Sequence, residues 1–595
     1  MFKDKTLLVL LVIISLGAFL RGYHFGDWMH YQLDQARDFR IIHSAMEYGP
    51  GELPLQGPRA AGSFLRLGPL LYYLEYLSAL IFGNTPAGSV VIILLLNIAV
   101  IPVFYLFIRQ FFDKKISLGL TGIFSTSLFM VVYSRFGWNP TLLPFFMTFF
   151  FYSILKASED NKKAGWWLVL SSVALAFVTN MHFIALVVTP LIAITYFIWI
   201  RPKIALKWWL LSVAVFSFLN LPLIINDLKT NGENLKEFSR ALLDRSEDKD
   251  SKHNIIAKGI KNIGAHAQYN WIILTGHQVA GLPEWYNGEV QCRKDCARGF
   301  GQGSVSLVMI ILGIIGWVWS YRKEKNKKKK NFLKLVAIWV TITFLIFIPL
   351  AYDIAPRFFL LNAPLIFILF GFALKLIEKR IDKSKIANII KINGRTVIIV
   401  IIFGSIFSNI FFTIKYFQGL ADSSKNKNFV LSYNDRILKE KTRITLGQMQ
   451  EIMKWIKERQ RKNGYPVFIS AQSEYERALL GLASINNMQS SSIPDKLDTI
   501  FKEGNYFVII RTQSNQNKLL SKFKKIATIT EDKNFGTLTI YHLQPKEEFI
   551  SAKKKVFKQG HEDRTFSGSV QPRYLWRQIV EGCSYNNKEG KCLKD

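Results

Sequence analysis

The chain has 595 residues, half of them hydrophobic, and a formal net charge of +33 at pH 7. Such a charge invites a nucleic-acid reading, but the basic residues fall in short blocks at every second gap between apolar runs, which excludes it. The runs are 14 to 25 residues long, most of them enough helix to cross a bilayer, and lack the alternating pattern of a membrane barrel.

Thr6 to Leu20 is the first apolar run. No small-residue cleavage site follows it, so it reads as a retained span with a cytoplasmic N-terminus. A polar loop runs from about residue 21 to 87. It gathers carboxylates, arginines, Trp28 and several tyrosines, notably in Asp34-Gln35-Ala36-Arg37-Asp38 and Arg66-Leu67-Gly68-Pro69-Leu70-Leu71-Tyr72-Tyr73. Pro69 to Phe82 is too short to span and contains Glu75, so it reads as an interfacial helix.

Further spans are expected at Gly88–Phe112, Ile116–Val132, Thr141–Leu155, Trp166–Thr179, Phe183–Ile200 and Trp208–Ile225. After a long external loop, 226–303, come Ser304–Tyr321, Phe332–Ala351, Phe358–Leu376 and Thr396–Phe417. The chain is thus expected to be a polytopic α-helical membrane protein of about 11 transmembrane helices. The blocks Arg109–Lys115, Lys156–Lys163, Arg201–Lys207, Arg322–Lys330 and Lys375–Arg395 all fall on the cytoplasmic side of that layout, as the positive-inside rule asks. The C-terminus is then extracytoplasmic, in a cell (plasma) membrane.

The membrane part ends near residue 420. Helical periodicity at Leu446–Gln460, Tyr475–Ser484 and Lys518–Lys525 alternates with strand-like Pro466–Ser470, Tyr506–Ile510 and Gly536–Tyr541. This predicts an extracytoplasmic α/β domain over 421–545. The tail, 546–595, reads as polar and irregular. The four cysteines, Cys292, Cys296, Cys583 and Cys592, all fall in segments expected outside, where disulfides form. The nearest-neighbour pairing is one of three connectivities. Zinc is the rival reading for Cys292 and Cys296, but no further ligands are evident.

Several polar residues are candidates for chemistry. Asp34 reads either as a helix N-cap or an ion-pair partner of Arg37, or as a general base beside the membrane. Asp38, one turn on, either balances Arg37 or Arg40 or shifts the ionisation of Asp34. Arg357 follows a proline at the end of a span. It reads either as a bidentate phosphate ligand or as an interfacial anchor, and Arg59 and Arg66 are alternative phosphate ligands. His182, beside Asn180 in a tight turn, reads as a cap or a substrate contact. Tyr133 and Arg135 line a cavity or belong to the aromatic belt.

In order and placement these features resemble the GT-C class of membrane glycosyltransferases. They are the short N-terminus, the first span, the Asp-containing loop, the Gly68-Pro69-Leu70-Leu71-Tyr72-Tyr73 segment, the Tyr133-Ser134-Arg135 turn and the Ala355-Pro356-Arg357-Phe358 turn. The resemblance covers residues 1 to 420 and is greatest to the branch of protein O-mannosyltransferases and the lipid A aminoarabinose transferase. It implies a polyprenyl-phosphate sugar donor, inverting transfer to an extracytoplasmic protein, lipid or cell-envelope glycan, and an essential aspartate that maps onto Asp34. The sequence departs from the family pattern in two places. Gln35 stands where an acid often follows, and Asn139, after Trp138, stands where many members carry a second-loop acid. No metal or other cofactor is expected, since arginines can neutralise the phosphate. A transporter or flippase is the alternative, but polar groups concentrate outside the spans and no repeat is visible.

Overall fold

The computed structural model describes the chain except residues 1–4, 61–62, 160–161, 244–253, 280–283, 287–288, 292–295, 384–392, 428–434, 440–442, 494–499, 513–516, 552–573, 583, 586–591 and 594–595. Helices come first in the chain. They are α1 (Lys5–Gly22), α2 (Leu33–Tyr48), α3 (Leu70–Phe82), α4 (Val91–Ile108), α5 (Lys114–Thr126), α6 (Leu128–Tyr133), α7 (Leu143–Ala157), α8 (Ala164–Met181) and α9 (Phe183–Ile200). There follow α10 (Leu206–Leu219), α11 (Leu221–Lys229), α12 (Glu233–Leu243), α13 (Ile255–Thr275), α14 (Cys296–Lys323), α15 (Lys327–Phe347), α16 (Ala363–Asp382) and α17 (Gly394–Lys425).

Among the described residues eight helices are long and apolar enough to cross a membrane, or nine if α10 and α11, bent by 62°, form one span. Each of the eleven expected runs has a helical counterpart. Two fall short of that test for visible reasons. The run 116–132 is broken at Ser127, where Leu128 N–H donates to Asn409 Oδ1 (3.0 Å) and Ser127 Oγ to the Ile273 carbonyl (2.7 Å). The run at α16 ends in Lys375, Glu378, Lys379 and Arg380. The short apolar helix expected at 69–82 is α3.

Two helices in the long loop, α12 and α13, were not foreseen. The polar residues Lys258, Lys261, Asn262, His266 and Gln268 break the apolar run of α13. Yet α13 packs into the bundle: Tyr269 stacks on Phe359 at 4.4 Å, and Asn262 Nδ2 donates to the Phe344 carbonyl.

The basic blocks gather at one end of the bundle, where Lys328 Nζ lies 3.1 Å from Glu159 and Lys375 over the Phe111 ring. The first loop and the C-terminal region occupy the opposite end. That region holds a five-stranded sheet in the order Ser490–Ser492, Val467–Ser470, Asn505–Arg511, Leu538–Pro545, Ala527–Phe535. The first three strands run parallel and the last two pairings are antiparallel. Phe507, Ile509, Leu538 and Ile540 on one face join the core of the bundle, whereas Phe468, Tyr506 and Val508 form a second cluster. The helix Ser473–Ile485 packs on α2, and Leu446–Asn463 starts against the segment before it: Gly447 N–H donates to Asp27 O, and Leu446 N–H to Met29 O.

The tail is not irregular throughout. Tyr574 to Glu581 lies on the first loop. Leu55 N–H donates to Tyr574 O (3.0 Å), Trp576 Nε1 to Tyr73 Oη (2.8 Å), and Arg577 sits 3.1 Å from Glu52. The disulfide expectation lies outside the described residues: Cys292 and Cys583 are not described, and Cys296 and Cys592 only in their backbone.

Candidate functional site

Helix α2 carries the first carboxylate. Its N-terminus is closed by a capping box in which Gln32 N–H donates to Gln35 Oε1 (3.2 Å), and Asp34 sits in the first turn, where the helix dipole favours a negative charge. Ala36, Phe39, Ile42 and Ala45 bury one stripe of the helix, and Gln35 Nε2 donates to Gly137 O (3.0 Å), tying α2 to the second loop. Gly49 ends the helix at φ 95°, a conformation that glycine adopts without strain.

A hairpin supplies the next wall. Gly57 N–H donates to Leu67 O (2.8 Å), Leu67 N–H to Pro58 O (3.0 Å) and Ala60 N–H to Leu65 O (2.8 Å), so Arg59 and Arg66 face each other across it. The hairpin closes tightly on α8. A Cβ at Gly68 would lie 1.6 Å from Asn180 Oδ1, so only glycine fits. Trp138 and Asn139 open a 3₁₀ segment, Asn139–Leu142, and Arg357 belongs to another, Pro356–Leu360. His182 caps α9, its Nδ1 accepting from Ile184 N–H (3.2 Å).

These pieces enclose a cavity of about 180 Å³. Asp34, Arg37, Arg59, Asn139, His182 and Arg357 line it, with Trp138, Leu67, Met181 and Phe358 among the apolar walls. The Arg357 guanidinium lies 5.5 Å from the Trp138 ring centre and 5.3 Å from that of Phe358. That of Arg59 lies 4.1 Å over Phe64.

Beneath the cavity Arg37 links two carboxylates. Its Nη1 donates to Asp34 Oδ1 (2.9 Å) and its Nε to Asp38 Oδ1 (2.7 Å). Asp34 keeps 41% of its side chain exposed, whereas Asp38 keeps 1%. Burial pushes the Asp38 carboxyl up to about 6, against the opposing pull of Arg37. Tyr72 hydrogen-bonds to Asp38, and buried Glu75 lies one turn further along α3. Reading the loop for chemistry missed this floor. Its signal is the i, i+3 spacing of Tyr72 and Glu75, which puts both on the face of α3 turned to α2.

Other expected site residues are placed elsewhere. Arg135 is buried and donates to the carbonyls of Leu20 (3.3 Å), Arg21 (2.8 Å) and His24 (3.2 Å), where it closes the end of α1 rather than lining the cavity. Tyr133 is also buried and donates its hydroxyl to Ile437 O (2.6 Å). Arg66 is half-buried on the outer strand of the hairpin, with its backbone held by Asn234, and does not line the cavity. Asp38 lies below the cavity rather than in its wall. Among the described residues no cluster of three His, Cys, Asp or Glu side chains is placed to hold a metal ion.

Asn139 behaves differently from its neighbours. It is 3% exposed, and neither Nδ2 nor Oδ1 has a hydrogen-bond partner. Each such unmade bond costs about 1–3 kcal/mol.

Residues 67–225 match the family described as dolichyl-phosphate-mannose-protein mannosyltransferase. No curated protein matches the chain. Among solved structures, the chain is similar to ArnT from Cupriavidus metallidurans in the apo state, at 11% identity and a TM-score of 0.49, over 92% of this chain and 99% of that one. It is also similar to the same protein bound to undecaprenyl phosphate, at 12% identity and a TM-score of 0.48, over 92% and 98%. A third is the oligosaccharyltransferase AglB from Archaeoglobus fulgidus with an inhibitory peptide and a dolichol-phosphate, at 12% identity and a TM-score of 0.48, over 93% and 75%. The family match falls on the hairpin end, the second loop and the helices behind them, so over these residues the chain is similar to the GT-C class of membrane glycosyltransferases.

Proposed function

We propose that the chain moves one sugar from a polyprenyl-phosphate donor to an acceptor on the extracytoplasmic side, with inversion at the anomeric carbon. The observation that carries this reading is the cavity itself. Its lining holds one exposed-edge carboxylate, Asp34, together with two guanidinium groups, Arg59 and Arg357, that are far apart in the chain. The matched family's description names a lipid-phosphate sugar as donor, and such a substrate needs both kinds of group.

The reaction follows from these roles. An acceptor O–H or N–H attacks the anomeric carbon on the face opposite the phosphate. Asp34 takes the proton as the new bond forms. The bond from the anomeric carbon to the phosphate oxygen breaks, and the electron pair leaves with the polyprenyl phosphate. Arg357 and Arg59 neutralise the charge that grows on the departing phosphate. Arg37 fixes one Asp34 oxygen and leaves the other for the acceptor. The polar end of the bundle orients both substrates, which is where most of the rate gain would arise.

Purified protein given a labelled polyprenyl-phosphate sugar should release the carrier phosphate. Asp34→Asn should lower that rate by about 10²- to 10⁴-fold, the usual worth of a general base, with the carrier still bound. Unchanged turnover in Asp34→Asn would remove the base assignment.

A further inference from the structure

Asn139 lines the cavity, is nine-tenths buried, and has an amide without a partner at either end. The turn that carries it is closed by Thr141, whose N–H and Oγ1 both donate to Trp138 O. Buried polar groups in folded chains are nearly always paired, so an unpaired one at a cavity wall calls for a partner from the cavity.

The chemistry of the amide narrows that ligand. It donates through Nδ2 and accepts through Oδ1. A phosphate only accepts: it would pair Nδ2 and leave Oδ1 buried against negative charge. A metal ion would use Oδ1 and leave the N–H groups facing a cation. A polyprenyl chain would satisfy neither end. A hydroxyl both donates and accepts, and two adjacent ring hydroxyls satisfy both ends of the amide together. The cavity's guanidinium groups already provide for the anion.

We infer that Asn139 grips the ring hydroxyls of the sugar carried by the donor, and so selects and orients that sugar. The inference rests on the lipid-carrier reading above. It gives the residue a role separate from the phosphate clamp and from the base. A neutral amide adds no charge beside Asp34 and does not compete with the arginines for the phosphate.

The test measures binding to the purified full chain. The probes are polyprenyl phosphate and polyprenyl phosphate bearing mannose, glucose or arabinose. The wild-type chain should bind at least one sugar-bearing lipid about tenfold or more above the bare lipid, the discrimination expected of a site built to hydrogen-bond a hydroxyl. Asn139→Ala should lose that preference and bind the bare lipid as before. Asn139→Asp keeps an acceptor but no donor, and should fall between. The unliganded Asn139→Ala and Asn139→Leu chains should melt no lower than wild type, because they remove an unpaired buried group. The inference is overturned if Asn139→Ala weakens the bare lipid as much as the sugar-bearing ones. It is equally overturned if wild type shows no preference for any sugar, or if the unliganded variants melt well below wild type. Binding of none of the lipids by wild type would overturn the carrier reading itself, and this inference with it.

Discussion

At the junction of α1, α5 and α6, buried arginines are bound to backbone. Arg21 donates to the Gly17 and Ser125 carbonyls and Arg135 to those of Leu20, Arg21 and His24. In the cavity, arginines meet side-chain carboxylates and aromatic faces instead: Arg37 bridges Asp34 and Asp38, and Arg357 lies against Trp138 and Phe358. The first pair holds helix ends together. The second pair presents charge to a hollow. The residue type is the same, so function depends on whether the guanidinium is bound among backbone carbonyls or stands in the cavity wall.

Substitutions should separate the two regions. Arg357→Ala should weaken carrier binding by about 10- to 100-fold, the worth of a charged hydrogen-bonding partner, and leave the melting temperature near wild type. Arg135→Ala should do the reverse. It strands the carbonyls at the end of α1, at a cost of about 3 kcal/mol, and lowers the melting temperature while the folded fraction still binds carrier. Similar losses of binding from both variants would erase the distinction between them. Arg357→Lys should keep the charge but lose the planar fork, with about tenfold weaker binding.

Smaller effects lie in the floor of the cavity. Asp38→Asn should slow transfer more than it weakens carrier binding, because it loosens Arg37 behind Asp34, and a kcat against KM comparison reads that split. The pH dependence has a definite sign. The Asp38 carboxyl stands at about 6 in the fold against an ordinary 3.8, so the folded chain holds that proton more tightly than the unfolded chain. Its contribution to stability is then greatest below about pH 4 and declines as the pH rises to about 6. Asp38→Asn should flatten that stretch of the curve of melting temperature against pH.

How much was legible in the sequence follows the same division. The spans were plain, because continuous apolar runs need no partner to be recognised. Asp34, Arg59 and Arg357 were legible as candidates by their position at span ends and loops. Arg135 was not separable from Arg357, since only the fold shows which carbonyls lie within reach. The helix α13 was hidden by polar residues whose partners, such as the Phe344 carbonyl, come from distant helices. The edge strand Ala527–Phe535 was hidden because its exposed face is charged. The segment Tyr574 to Glu581 was hidden because its partners are Leu53, Leu55 and Tyr73, at the other end of the chain.

The claim at the centre of this account is that the first-loop hairpin and the Pro356 turn form two walls of one carrier-phosphate site. A polyprenyl phosphate bearing a photoreactive group beside its phosphate, irradiated on the purified chain and mapped by mass spectrometry, tests it directly. Adducts should fall on peptides covering both 57–67 and 353–361, and excess unlabelled polyprenyl phosphate should suppress both. Adducts confined to the lysine-rich end of the bundle, or unaffected by competition, would contradict it.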